Sequence, residues 1–177
     1  MFKLLYPFEY VESVFTIDYK KLYEMGYRGL IFDIDNTLVH HGDDSNEKVD
    51  ALFASLHAIG FRTLLLSNNS EKRVQRFLKN IDSLYIANAK KPLRSNYIKA
   101  VKKMGLTKDE VVFIGDQIFT DTFGANCSGI ASILVKFIRL DGEVDFGKRR
   151  KLGKTVLQRY WKSKRYQHRL GEIEAEE

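Results

Sequence analysis

The sequence predicts an α/β fold in three layers, with a central parallel sheet of five strands. Three observations carry that expectation. Leu30-Ile31-Phe32 is apolar at every position, as a strand covered on both faces must be. Similar short runs alternate with helix-period segments from residue 28 to 138, the pattern of β-α-β crossovers. Polar residues stand directly after the runs: Asp33 and Asp35 after the first, Ser67 and Asn68 after the second, Lys91 beyond the third, and Asp116 with Asp121 after the fourth.

Taken in order, residues 1–20 are aromatic-rich and irregular and are expected to form a packing arm. Asp18 to Met25 reads as a short helix stopped by Gly26. Strand one ends at the two aspartates. Asp44 and Glu47 have the spacing of a capping box, and Val49, Leu52, Phe53, Leu56 and Ile59 repeat at helical period up to Gly60. Phe61–Leu66 is strand two. Ser70 caps the next helix, which runs through Leu78 with Val74 and Phe77 inward. Leu84–Ala87 is strand three, and a helix carrying Tyr97, Ile98 and Val101 stops at Gly105. Thr107 and Glu110 again have capping-box spacing, but strand four, Val111–Ile114, follows too soon for a full helix. A helix to about Ser128 and strand five, Ala131–Ile138, complete the run.

A chain of 177 residues, 44% hydrophobic and 29% charged, has enough apolar material for one core. The single cysteine, Cys127, excludes an intramolecular disulfide and points to a reducing, cytoplasmic setting. Pro7, Glu9 and Glu12 interrupt a signal-like start, and nowhere do 18 apolar residues run together, so neither secretion nor membrane spanning is expected. The net charge of +6 is uneven: residues 148–169 hold ten Lys or Arg and no acid, and the rest of the chain is acidic by four charges. The chain therefore divides into a core over 1–138 and a basic, helical extension over 139–177.

A parallel sheet gathers its strand ends at one edge. Asp33 and Asp35, two apart on extended backbone, share a face there. Several carboxylates brought together repel one another and raise their pKa values. A divalent cation with oxygen ligands resolves that repulsion, and Mg²⁺ leaves positions for water and phosphate oxygen. Lys91 adds a positive charge for an anionic substrate, and Ser67 adds a hydroxyl.

Asp33-Ile34-Asp35-Asn36-Thr37 resembles motif I of the haloacid dehalogenase superfamily, with Ser67 as motif II, Lys91 as motif III and Gly115-Asp116 with Asp121 as motif IV. The resemblance covers residues 28–138 in motif order. It implies that Asp33 is a nucleophile forming an aspartyl phosphate. It implies that Asp35 is a general acid and base, and that Asp33, the Asp35 backbone carbonyl and Asp116 hold Mg²⁺, with Asp121 a ligand through water or a support. Ser67, Asn68 and Lys91 would bind the phosphoryl group. Dehalogenases lack an acid at the position of Asp35 and P-type ATPases carry Thr there, so the resemblance favours phosphate hydrolysis or transfer.

About thirty residues separate Thr37 from Ser67, too few for a folded cap domain of roughly 50 residues; the expected fold is the capless Rossmann-like one, and the site is open. An open site suits a phosphate displayed on something large. Within the superfamily the frame resembles subfamily IIIA and its YqeG group, related to phosphatidylglycerophosphate phosphatases, which implies a lipid phosphate substrate.

In the extension, Leu152, Val156, Leu157, Tyr160 and Trp161 follow at helical spacing among basic residues. Three uses fit: a helix packed on the domain, a helix on the inner face of an anionic membrane, or an RNA-binding surface. The alternatives to a lipid phosphatase are a phosphatase of a soluble metabolite or phosphoprotein, and an RNA- or ribosome-associated module; oligomerisation is compatible with each. His40 and His41 stand in the loop after motif I, at the mouth or merely solvated. His57 reads as structural, Cys127 as a buried small side chain, and Glu172–Glu177 as a frayed end.

Overall fold

In the computed structural model, residues 2–142 and 148–175 are described. Six strands, not five, form one parallel sheet: β1 (Glu9–Val11), β2 (Gly29–Phe32), β3 (Arg62–Leu66), β4 (Leu84–Ile86), β5 (Val111–Gly115) and β6 (Ala131–Val135), in the order β1-β6-β5-β2-β3-β4. The additional strand lies in the arm expected to be irregular, where Glu9–Val11 pairs with Ile133–Val135. Three residues at a sheet edge carry too little periodicity to be read as a strand. Strand β6 is also shorter than expected, ending at Val135.

Alternation of side chains across the sheet divides the core in two. Leu30 and Phe32 of β2 with Val112 and Ile114 of β5 meet Val49, Phe53 and Leu56 of α2 (Glu47–Ile59) and Val74 and Phe77 of α3 (Glu71–Phe77). Ile31 and Phe113 point the other way, to Tyr97, Ala100 and Met104 of α4 (Arg94–Met104) and Ala125 of α5 (Phe123–Ser128). The short α1 (Tyr19–Glu24) is capped by Asp18, which accepts from Lys21 N at 3.0 Å. Both faces are thus covered, which is why β2 and β5 are apolar at every position.

The caps follow local chemistry with one correction. Ser70 caps α3 as expected, and Thr107 with Glu110 closes a complete capping box, but on a single 3-10 turn, Lys108–Glu110. Helix α2 is capped by Asn46, whose Oδ1 accepts from Val49 N at 3.0 Å. Asp44 is instead drawn away to Arg76 and Arg73.

The basic extension forms α6 (Lys148–Lys162), whose Val156 and Tyr160 are buried with Tyr6, Ile118 and Leu134. The apolar stripe therefore packs on the domain, leaving Leu152 and Trp161 outward at 56% and 47% exposure. The chain then continues into the main core through Leu170 and Ile173. Ala175 N donates to Thr16 O at 2.8 Å, so the acidic end is anchored up to that residue rather than frayed; Glu176 and Glu177 lie outside the described residues, as does the stretch 143–147 of the extension. No helix among the described residues is long and apolar enough to cross a membrane.

Candidate active site

The sheet order reverses between β2 and β5: the chain runs outward from β2 through β3 to β4, then returns to the other side of β2. Ligands of open α/β sheets bind beyond the strands at such a switch point. Asp33 follows β2 and Asp116 follows β5, in a register that pairs Phe32 with Ile114. Asp33 N donates to Ile114 O at 3.0 Å, holding the first residue beyond the strand in the sheet.

Asp121 reaches the same place from a π-helical turn, Ile118–Thr122, a local geometry frequent at functional sites. One carboxylate oxygen from each of Asp33, Asp116 and Asp121 lies within 4.8 Å of the others. Gly115 makes room for this. A Cβ built there would stand 2.5 Å from Asp121 Oδ2, so any side chain at this position would force Asp121 to shift. Gln117 N donates to that oxygen at 3.0 Å and fixes its direction.

Lys91 is buried, its Nζ 2.6 Å from Asp33 Oδ1 and 2.7 Å from Asp121 Oδ1. Burial alone would lower its pKa, but the Asp121 and Asp33 carboxylates outweigh that and hold it charged. Burial pushes the Asp33 carboxyl up to about 6, with Lys91 pulling down and Asp121 pushing up. Burial pushes Asp116 well above the usual carboxylate range too, reinforced by Asp121 and Asp33 and opposed by Arg150 and Lys91. Lys91 serves Asp33 and Asp121, and Arg150 serves Asp116, so three carboxylates when ionised face two cations and one negative charge is left over. The hard oxygen donors of these carboxylates fit a divalent cation such as Mg²⁺.

Asp35 stands apart from that cluster. Its carboxylate accepts from Gly42 N at 3.0 Å, from Arg73 Nη2 at 3.3 Å and from the Asn69 amide. Burial acts to raise its pKa, but the Asn69, Gly42, Arg73 and His41 contacts outweigh it and leave the carboxyl below its usual value. Ser67 is buried, its Oγ accepting from Asn69 N at 3.1 Å. Asn68 uses its Oδ1 to accept from the Lys91 backbone N–H at 2.7 Å, so it positions the lysine segment. Thr37 Oγ1 bonds Asp116 Oδ1 at 3.3 Å. His41 is exposed, 3.8 Å from Asp35, and His57 Nε2 pairs with Thr63 Oγ1 at 2.9 Å, a structural contact. Cys127 is half-buried rather than buried.

Residues 41–129 match the family model of haloacid dehalogenase-like hydrolases. The probable phosphatase YqeG of Bacillus subtilis (strain 168) is 36% identical over 134 residues, spanning 75% of this chain and 78% of that protein. The chain belongs to the haloacid dehalogenase-like hydrolases. Two solved structures share the fold of this hydrolase at 18% identity. An uncharacterized protein from Listeria monocytogenes serotype 4b has a TM-score of 0.54 and covers 76% of this chain and 99% of its own. The cobalt-bound deoxy-D-mannose-octulosonate 8-phosphate phosphatase YrbI from Haemophilus influenzae has a TM-score of 0.52, covering 81% and 93%. The expectation of a phosphatase of this superfamily agrees with the family and with the relative.

Three residues of the hydrolase site were not singled out from sequence. Asn69 and Arg73, both on Asp35, lie two and six residues past Ser67 at the start of α3, where a polar side chain reads as ordinary helix entry. Arg150 of α6 places Nη2 3.2 Å from Asp116 Oδ2, yet in sequence it is one cation within a run of four.

Proposed function

We propose that this hydrolase is a Mg²⁺-dependent phosphomonoesterase working through an aspartyl-phosphate intermediate on Asp33. The observation that carries the reading is Asp33 itself: a buried carboxylate at the switch point, held by Lys91 at 2.6 Å, with Asp35 two residues on. In the first step a carboxylate oxygen of Asp33 attacks phosphorus, the bond to the alcohol oxygen breaks, and Asp35 gives that oxygen a proton. Asp35 is ionised in the free protein, but a dianionic phosphate beside it raises its proton affinity and readies it as the acid. In the second step water gives a proton to Asp35 and attacks the same phosphorus, restoring Asp33 and releasing inorganic phosphate.

Lys91 offsets the charge of Asp33 and Asp121 as the phosphoryl group arrives, with Ser67 beside it and Asn68 fixing the lysine backbone. Asp33, Asp116 and the Asp35 backbone carbonyl would hold Mg²⁺, with Asp121 in support. When bound, the ion supplies neutralisation of the phosphoryl oxygens.

The leading substrate is phosphatidylglycerophosphate, acted on at the membrane surface. Only one loop, α2 and β3 stand between Thr37 and Ser67, so no cap domain is inserted there, and the basic α6 reaches the site through Arg150. The test is phosphate release from that lipid, an aryl phosphate, sugar phosphates and a phosphopeptide, with wild type and Asp33→Asn compared. Turnover should fall at least 1,000-fold in the variant, as expected of a lost nucleophile. Undiminished release by Asp33→Asn would sink the mechanism. A preference for a soluble phosphate would remove the lipid assignment.

A further inference from the structure

A cavity of about 200 Å³ lies between α6 and the end of β6, and it begins at Asp116 and Gln117. Its walls are apolar: Ile118, Leu134, Phe137 and Leu157. Its rim is basic, formed by Arg149, Arg150 and Lys154, and Asp116 is the one acid in the lining. Arg150 stands at the junction, its guanidinium 4.0 Å over the Phe137 ring and 3.2 Å from Asp116 Oδ2. An apolar cleft with a few convergent charged groups, opening beside the active-site carboxylates, is the usual form of a ligand subsite.

Resting on the phosphatase reading above, we propose that this cavity is the subsite for the body of the substrate, and that the body is an anionic amphiphile. A second, diester-type phosphate meets Arg149 and Lys154, and the adjoining apolar segment lies along Leu157 and Phe137. Typical small-molecule pockets run to roughly 300–1,000 Å³. The smaller volume here suits a head group and the first methylenes of a chain, with the remainder left outside the open mouth. Specificity would then come from α6, in place of a cap domain.

Gly153 gives a direct test. It lines the cavity, and a Cβ added there would meet only Ile118 Cδ1, at an ordinary 3.6 Å. Gly153→Leu fills the space from within the helix, and Gly153→Ala makes the same gain in helix propensity while filling little. Trp161, the chain's only tryptophan, stands edge-on to Tyr10 of the lining at 5.3 Å. Its fluorescence can therefore follow binding without turnover.

Dihexanoyl phosphatidylglycerol, titrated below its micelle concentration, should bind wild type and Gly153→Ala alike, and Gly153→Leu at least tenfold more weakly. Arg149→Glu, at an exposed position, should weaken binding at least fivefold and stands as a second variant if Gly153→Leu does not fold. Glycerophosphoglycerol, with the same head and no chains, should bind at least tenfold more weakly than the lipid. Equal affinity of the lipid for wild type, Gly153→Leu and Arg149→Glu, or of the deacylated compound and the lipid, would overturn the proposal. No phosphate release from phosphatidylglycerophosphate or an aryl phosphate by a wild type that does bind dihexanoyl phosphatidylglycerol would instead strike at the phosphatase reading.

Discussion

Arg150 Nη2 lies 3.2 Å from Asp116 Oδ2, joining the last helix to a carboxylate 34 residues earlier. Asp116 also lies among Asp33 and Asp121, so its charge is offset from outside the cluster by this guanidinium. A divalent cation bound by these carboxylates would therefore compete with Arg150 for Asp116. Arg150→Met should lower the melting temperature without cation and tighten the apparent cation affinity severalfold. Calorimetric titration of Mg²⁺ into both proteins checks this, and unchanged affinity would show that the pair is incidental.

Gly115 is required by Asp121. With a Cβ 2.5 Å from Asp121 Oδ2, Gly115→Ala must push that carboxylate away from Lys91 and from Gln117 N. Losing a group that orients a metal site typically costs 10–100-fold in metal affinity or activity, and overpacking costs about 1–3 kcal/mol of stability. The expected result is a fall in kcat/KM of that order, measured at saturating Mg²⁺ and again across a metal titration. Wild-type kinetics in a folded Gly115→Ala protein would contradict the close approach.

Much of this was legible in the sequence, for identifiable reasons. Strands covered on both faces must be apolar, so β2 and β5 announced themselves along their whole length, and β3 and β6 through the runs Leu64–Leu66 and Ile133–Val135. The residues directly beyond them, Asp33, Ser67 and Asp116, were placed by strand direction alone. Asn46 was less legible because Asp44, two residues earlier, offers the same acceptor chemistry, and only the arginines at 73 and 76 decide between them. β1 was hidden because an edge strand of three residues gains its identity from its partner β6. Arg150 was hidden because a basic run looks the same whether its members face solvent or a buried carboxylate. The contact depends on α6 folding back, which Val156 and Tyr160 determine.

Asn69 and Arg73 hold Asp35 ionised, and the sign of the pH dependence follows. A carboxyl whose folded pKa lies below its unfolded value, about 3.9 for Asp, contributes stability that is complete above that value. The contribution is lost as pH falls through the folded pKa. Asn69→Ala removes one donor, at a cost of about 2 kcal/mol for a hydrogen bond to a charged group. Denaturant unfolding in EDTA should show the full difference from wild type between pH 5 and 7, narrowing below about pH 4. A difference that instead widened toward low pH would mean that Asn69 does not act through the Asp35 charge.

The carboxylate cluster predicts opposite effects of one substitution with and without cation. Without it, Asp33, Asp116 and Asp121 repel, and burial has raised Asp116 well above its usual range. Asp116→Asn removes that repulsion while keeping an acceptor for Arg150, so the cation-free variant should melt above the cation-free wild type. With cation, binding stabilises the folded state by RT ln(1 + [L]/Kd), about 2.7 kcal/mol at a hundredfold excess over Kd. For a chain of this size that corresponds to a rise of roughly 5–10 °C. Wild type should show the rise on adding Mg²⁺ or Mn²⁺, and Asp116→Asn should show little of it, so the order of the two melting temperatures reverses. A thermal-shift series in EDTA and in rising Mg²⁺ measures both halves at once. An equal rise in the two proteins would place the cation elsewhere than at Asp116.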